Sequence, residues 1–160
     1  MRGYAAVEGL MVVDWRRVPA ADFRVPEGPA LADLTAELTG LLGDPDPALR
    51  DEVAVPVLTT WIGRGVYDDL MVGLGDGIAT GLTATRPADR AALRRRSSAV
   101  VLGAVLARDN LRTLVPRGKV LEWGDRVATW MLAERELGAG AVGAGADALG
   151  ELVASPHCGR

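Results

Sequence analysis

The sequence contains few residues of the kinds that carry redox or metal chemistry. It has one cysteine, Cys158, and one histidine, His157, and both lie near the C-terminus. A single cysteine cannot form an internal disulfide or a thiolate metal site, and a lone histidine in a tail excludes a serine-protease type of catalytic centre. We therefore expect a protein of a reducing, cytoplasmic compartment.

Aromatic residues are also scarce, at 4% of the 160 residues, whereas hydrophobic residues make up 49% and charged residues 24%. This composition is typical of one globular domain, and the abundance of Ala, Leu, Val and Gly favours closely packed helices over a β-sandwich. The net charge of −3 argues against nucleic-acid binding. Arg90 and residues 94–96 indicate the solvated first turns of a helix, because no aromatic residue is interleaved with them.

Long apolar runs are missing as well. The longest, residues 99–107, is far shorter than the ~20 residues that cross a bilayer, so no membrane span is expected. Glu8 interrupts the apolar segment at the N-terminus, and no small-residue cleavage site follows. Because Met11 begins a more plausible protein than Met1, residues 1–14 are predicted to be disordered or a mis-started N-terminus.

Glycine, in contrast, is concentrated in residues 61–82, which hold six glycines and three aspartates among apolar positions. The apolar residues from 70 to 82 recur every four positions, a helical spacing. Each glycine in a helix interior costs about 1 kcal/mol relative to alanine, so close approach of another backbone or of a ligand is expected, and Gly77 is predicted to contact a neighbouring backbone. Asp68 and Asp69 precede the helix and are predicted to cap it.

Further helices are predicted from apolar periodicity and from the Pro and Gly residues between them. Their approximate ranges are 31–42, 48–62, 70–82, 88–112, 119–137 and 147–154. Pro56 predicts a kink in the second helix, and residues 88–112 are the candidate for a central buried helix. Trp15 and Phe23 are expected to dock an irregular lead-in onto the first helices, and the glycine-alanine tract at 138–146 is expected to break or loosen the chain.

No credible strand occurs, so residues 15–157 are predicted to form one all-α domain. A kinked helix followed by a tightly packed partner is how HEAT-like pairs are built. The expected architecture is therefore a short array of antiparallel helix pairs, a HEAT-like α-solenoid, although no strict sequence repeat is present.

Four blocks carry a resemblance to a known family: the segment from LADLT to ATGL, then SSAVVLGAVLARDN, VLEWGDRVATWMLAERELG and ADALGELVASPH. In this order they resemble the bacterial family catalogued as domain of unknown function 2785, from about Trp15 to His157. The resemblance implies a helical fold and no established activity. It also implies that the chain covers the N-terminal portion of such proteins, which continue with further helices. A GWAHxxxH-like stretch of the relatives is replaced here by LGAGAVGAGADALG, so no role of its histidines carries over.

The candidate site is a polar pocket at the ends of neighbouring helices. Its predicted members are Tyr67, Asp68, Asp69, Asp76, Arg108, Asp109 and Asn110. Such carboxylate, amide and phenol oxygens can hold Mg²⁺ or Ca²⁺ or act as general acids and bases, and no particular metal or cofactor is indicated. Alternatively, these side chains cap helices and pair across turns, with Arg108 and Arg64 neutralising the aspartates.

Two functional classes follow. The favoured class is a non-catalytic scaffold or protein-interaction module, because helical arrays present extended surfaces and no residue pattern demands chemistry. The other is a small hydrolase-like, ligand-binding or divalent-cation-binding protein that uses the aspartates. At the C-terminal end, an uncovered apolar stripe is expected to drive self-association or to bind another protein, unless residues 146–154 fold back over it. The stripe comprises Val127, Trp130, Met131 and Leu149.

Overall fold

The protein is described by a computed structural model that covers residues 13–83, 88–134 and 139–156. These residues form helices and turns and contain no strand, so the all-α prediction is confirmed. The α-helices are α1 (Leu31–Leu41), α2 (Pro47–Leu49), α3 (Val55–Gly63), α4 (Met71–Thr80), α5 (Ala88–Arg112), α6 (Arg117–Ala133) and α7 (Ala139–Ala154). Short 3₁₀ turns at Trp15–Arg17, Pro19–Ala21, Asp68–Leu70 and Gly81–Thr83 complete them.

Helix α5 lies at the centre of the fold, as predicted. It packs against α3, α4, α6 and α7. The middle of the helix is buried on several sides, and Val101, Leu102 and Val105 are fully enclosed. A helix that is apolar on most sides needs neighbours on most sides, and of the large apolar residues in the middle of α5 only Val100 is exposed.

The second predicted helix is present but irregular. Helix α2 begins at Pro47, where the Asp46 side chain accepts a hydrogen bond from the Ala48 amide at 2.9 Å. A π-helical turn at Arg50–Ala54 then leads into α3. In a regular α-helix the ring of Pro56 would clash with the carbonyl four residues earlier, and the π-helical turn lies at that point.

The N-terminal lead-in docks onto the first helices through its aromatic residues, as expected. The ring centroids of Trp15 and Trp61 lie 6.1 Å apart, and both side chains are buried. Both indoles donate hydrogen bonds, from Trp15 to the Glu37 carboxylate at 2.8 Å and from Trp61 to the Phe23 carbonyl at 2.6 Å. The prediction for residues 1–14 falls mainly on residues 1–12, which lie outside the described part of the chain.

At the C-terminal end the expectation that the glycine-alanine tract breaks or loosens the chain is wrong, whereas the alternative in which residues 146–154 fold back over the apolar stripe agrees with the structure. The part of the glycine-alanine tract from residue 139 onwards is helical and belongs to α7, which packs on α5 and α6. Val127 is fully buried and Trp130 is 4% exposed, while Met131 is partly buried against Gly145 of α7. Tertiary packing of small residues outweighs their poor helix propensity here, because the small side chains let α7 approach α5 closely.

Helix α6 also ends earlier than predicted. It stops at Ala133, and the backbone of Glu134 is already extended. The side chain of Glu134 turns to Arg95 and Trp130 instead, with a 2.8 Å contact from the Arg95 Nε atom. Residues 135–138 lie outside the described ranges.

The prediction for Gly77 is wrong. A Cβ atom built at Gly73 or Gly77 would meet nothing within 4 Å, whereas one at Gly75 would clash with the Trp123 ring and one at Gly81 with the Ser98 side chain. Residues two apart on a helix point about 200° apart, so Gly75 faces the protein while Gly73 and Gly77 face away from it. Close packing therefore explains only part of the glycine content of this segment.

Candidate functional site

Asp68 and Arg108 form a bidentate ion pair. The Arg108 Nε atom donates to Asp68 Oδ1 at 2.9 Å, and Nη2 donates to Oδ2 at 2.6 Å. These hydrogen bonds lower the pKa of Asp68 and raise the pKa of Arg108. The pair ties the 3₁₀ turn ahead of α4 to the C-terminal half of α5, which is a structural task.

Neither aspartate ahead of α4 caps that helix, so the capping prediction is wrong. No side chain forms a cap hydrogen bond at the start of the 3₁₀ turn or of α4. Asp68 is committed to Arg108, and Asp69 is exposed. The turn is held instead by the backbone, through a 2.8 Å bond from the Leu70 amide to the Tyr67 carbonyl.

Tyr67 is buried, and its hydroxyl lies 2.8 Å from the Thr35 hydroxyl on α1. Burial raises the pKa of the phenol, because the charged form loses its hydration, and the hydrogen bond with Thr35 partly offsets the rise. A neutral phenol with a raised pKa is a hydrogen-bonding group here, and it bridges the start of the α4 segment to α1.

Asp76 connects α4 to α6. It accepts hydrogen bonds from the Trp123 Nε1 atom at 2.9 Å and from the Lys119 Nζ atom at 3.0 Å. The hydrogen bond from Trp123, followed by that from Lys119, lowers the pKa of the Asp76 carboxyl. Its charge is therefore used to hold the only lysine of the chain and a buried indole in place.

Asp109 organises the turn between α5 and α6. Its side chain is fully buried, and Oδ1 accepts from the backbone amides of Leu114 at 2.6 Å and Val115 at 2.7 Å. Thr113 in this turn has a φ of 51°, an unfavourable value for a β-branched residue. The carboxylate thus fixes a strained turn by satisfying two amides.

Asn110 anchors the last helix. Its Nδ2 atom donates to the backbone carbonyl of Glu151 at 2.8 Å and to the Oε2 atom of the same residue at 3.0 Å. This contact joins the end of α5 to the second half of α7, so it helps to hold α7 against the core.

The seven predicted site residues are therefore distributed over separate contacts. Only Asp68 and Arg108 bond to one another. Arg64 does not neutralise the predicted aspartates but pairs with Asp22 at 3.1 Å. Within residues 13–83, 88–134 and 139–156, no group of three or more His, Cys, Asp or Glu side chains is arranged to hold a metal ion.

A groove between α1 and α4 went unnoticed in the sequence. Its volume is about 570 Å³. Buried Leu74 and Ile78 form its floor, and its walls carry small residues four positions apart on each helix. The small residues are Ala32, Ala36, Gly73 and Gly77. Their spacing was the available signal, but only the tertiary structure brings the two rows into one groove.

A second groove runs between α6 and the Gly81–Thr83 turn, with a volume of about 440 Å³. Four of its five charged side chains are paired with one another, and the fifth is Asp125. Arg95 binds Glu134 at 2.8 Å, and Arg126 binds Glu122 at 3.2 Å. The two carboxylates are thereby committed to partners within the wall of the groove.

None of the helices in the described ranges combines the length and the apolar character needed to cross a membrane. Comparison with protein-family models, with curated proteins and with solved structures found no match to this chain.

Proposed function

We propose that this chain is a non-catalytic helical interaction module, a scaffold that works by binding another protein. The observation that carries the proposal is that the candidate aspartates have structural partners within the fold. Asp68, Asp76 and Asp109 each hold two elements of the fold together, with cationic or amide partners at 2.6–3.0 Å. A carboxylate that already accepts two hydrogen bonds from fixed partners in the fold is poorly suited to move protons or to collect a metal ion.

The finer features of the proposal rest on the sequence. They are a HEAT-like array of antiparallel helix pairs, a bacterial and cytoplasmic setting, and membership of the family named domain of unknown function 2785. Helical arrays use extended surfaces for recognition, which agrees with an interaction role. Because Val127 and Trp130 are buried and α7 packs on α6, the proposed contact surface lies elsewhere than at the C-terminal end.

The experiment is affinity purification of the tagged chain from cells that express it naturally, followed by reconstitution of any recovered pair from purified components. We expect a partner that binds with fixed stoichiometry in the reconstituted mixture. Failure to reconstitute any pair would contradict the interaction role.

Calorimetric titration with Mg²⁺ and Ca²⁺ tests the divalent-cation alternative. We expect no binding heat. Asp76→Asn and Asp125→Asn serve as a matched pair, because both positions carry aspartates but only Asp76 is bonded to Lys119. A saturable heat that disappears in Asp76→Asn and persists in Asp125→Asn would replace the interaction module with a cation-binding protein.

A further inference from the structure

The α1–α4 groove has small residues at four positions of its walls, and Gly73 and Gly77 contribute no side chain to it. Cβ atoms at Gly73 and Gly77 would meet no atom within 4 Å. Each glycine lowers the intrinsic stability of α4 and gains no internal contact in return. The two glycines therefore leave a trough whose floor is formed by buried apolar side chains.

The other end of the molecule shows what fills such a trough in this fold. Gly103 on α5 and Gly124 on α6 also lack side chains, and α7 lies against both. Ala148 approaches Gly103, where a Cβ would lie 3.5 Å from the Ala148 Cα atom, and Leu152 occupies the space beside Gly124. A helix is thus the natural occupant of a surface in which small residues recur at helical spacing, because ridges of one helix pack into grooves of another.

A positive charge at one end of the groove indicates which charge the occupant should carry. The half-buried Arg94 lines that end, with its aliphatic stem packed against Gly43. Arg94 forms no ion pair or hydrogen bond within the described part of the chain, unlike the neighbouring Arg95 and Arg96. An unpaired guanidinium at the mouth of an apolar groove favours an anionic group on the occupant.

We propose that the α1–α4 groove binds an amphipathic helix of a partner protein, with bulky apolar residues over Gly73 and Gly77 and a carboxylate against Arg94. This inference rests on the proposed interaction role and names the site and the partner chemistry. The proposed mode of binding is helix-in-groove recognition, in which apolar side chains at helical spacing enter the groove. From Leu70 to Thr80 the wall is about 15 Å long, which is the length of a helix of about ten residues.

The probe is a pair of labelled synthetic helices of about fourteen residues, which exceed the length of the groove. Both carry leucines on one face and a staple on the other, so that circular dichroism shows equal helicity. One carries two glutamates in a terminal turn and the other carries lysines there. Fluorescence anisotropy should show at least tenfold tighter binding of the glutamate helix to the wild-type chain, and Arg94→Glu should reverse the preference.

Gly77→Leu fills the groove and should weaken binding of the glutamate helix at least tenfold. Gly40→Leu is the matched control on α1, since Gly40 also has nothing within 4 Å and lies outside the groove, and it should bind like the wild type. Cooperative melting at or above the wild-type temperature would show that both variants fold. If Gly77→Leu does not fold, the preference reversal in Arg94→Glu still decides the outcome.

Three results would overturn the proposal. The first is equal affinity for the glutamate and lysine helices, and the second is binding that Gly77→Leu leaves intact. The third is a wild-type dimer in light scattering that Gly77→Leu converts to a monomer, because the occupant would then be a second copy of this chain. A reconstituted partner complex that tolerates Gly77→Leu keeps the interaction role and removes the groove, so the two proposals fail separately.

Discussion

Two surfaces of this molecule contain glycines, but one is covered by a helix and the other is open. On the α5–α6 surface, Gly103 and Gly124 are covered by α7, and side chains of α7 occupy the space that the glycines leave. On the α1–α4 surface, Gly73 and Gly77 face an open groove. A glycine inside a helix therefore indicates that space is kept free, and only the opposing element shows whether the chain itself uses that space.

The contrast also occurs within α4. Gly75 faces the fully buried Trp123 ring, while Gly73 and Gly77 point away from it. Substitution by alanine should lower the free energy of unfolding at Gly75 and raise it at Gly73 and Gly77, although all three are glycines of one helix. The following predictions use this difference.

The largest effect is expected for Gly75→Ala. The added methyl would clash with the Trp123 ring, which is enclosed and rigid, so the variant should lose about 3 kcal/mol of unfolding free energy through overpacking. Urea denaturation measures the loss. Stability equal to that of the wild type would show that α4 and α6 are not in close contact at this point.

The next effect concerns the covered surface. Ala148 is fully buried beside Gly103, and Ala148→Leu should cost about 2 kcal/mol by pushing α7 away from α5. Val153→Leu is the control, because Val153 lies on the same helix and is 77% exposed. Equal denaturation midpoints for the two variants would contradict the close packing of α7.

On the open surface, substitution should raise the unfolding free energy instead of lowering it. Gly73→Ala and Gly77→Ala should each raise the unfolding free energy by up to about 1 kcal/mol, because alanine favours the helix and its methyl group meets no neighbour. Thermal melting of the single and double variants checks this. A loss of stability in either single variant would mean that the groove is filled in the native molecule.

The smallest effect is electrostatic. Asp76 has a lowered pKa in the folded protein, and its side chain is 41% exposed, so its ion pair with Lys119 should contribute less than about 1 kcal/mol. The contribution is complete above the unfolded pKa of about 4 and is lost as the pH falls through the lower folded value.

In Asp76→Asn the amide oxygen can still accept from Trp123, and the stability difference from the wild type should shrink as the pH is lowered from 6 to 3. Denaturation at these two pH values measures the trend. A stability difference between Asp76→Asn and the wild type that grows as the pH falls would contradict the expected direction.

Local pattern predicted most of the helices, since helix ends are marked by residues close in sequence. The Gly43–Pro47 stop ends α1, and the boundaries of α5 agree with those expected from charge and apolar content. The fold class and the central position of α5 followed from the same signals. The tract at 139–146 was misjudged because intrinsic propensity disfavours a glycine-rich helix, and packing against α5 and α6 overrides it.

The predicted site was not assembled as expected, because most of its residues have partners far away in the sequence. Asp68 meets Arg108 forty residues later, Asp76 meets Lys119 forty-three residues later, and Asn110 meets Glu151 forty-one residues later. Polarity and position near helix ends identified residues that need hydrogen-bond or ion-pair partners. They carried no information about which partner each residue has.

The sequence by itself determined the helical class, the approximate helix limits and the identity of the buried faces, because periodicity reports which side of a helix is apolar. Tertiary structure decided what stands opposite each face. It placed Leu152 of α7 against Gly124, Trp123 against Gly75, and open space against Gly73 and Gly77. The physical reason is that helix formation depends on neighbours within one or two turns, whereas burial, ion pairing and cavities depend on segments that the chain brings together only on folding.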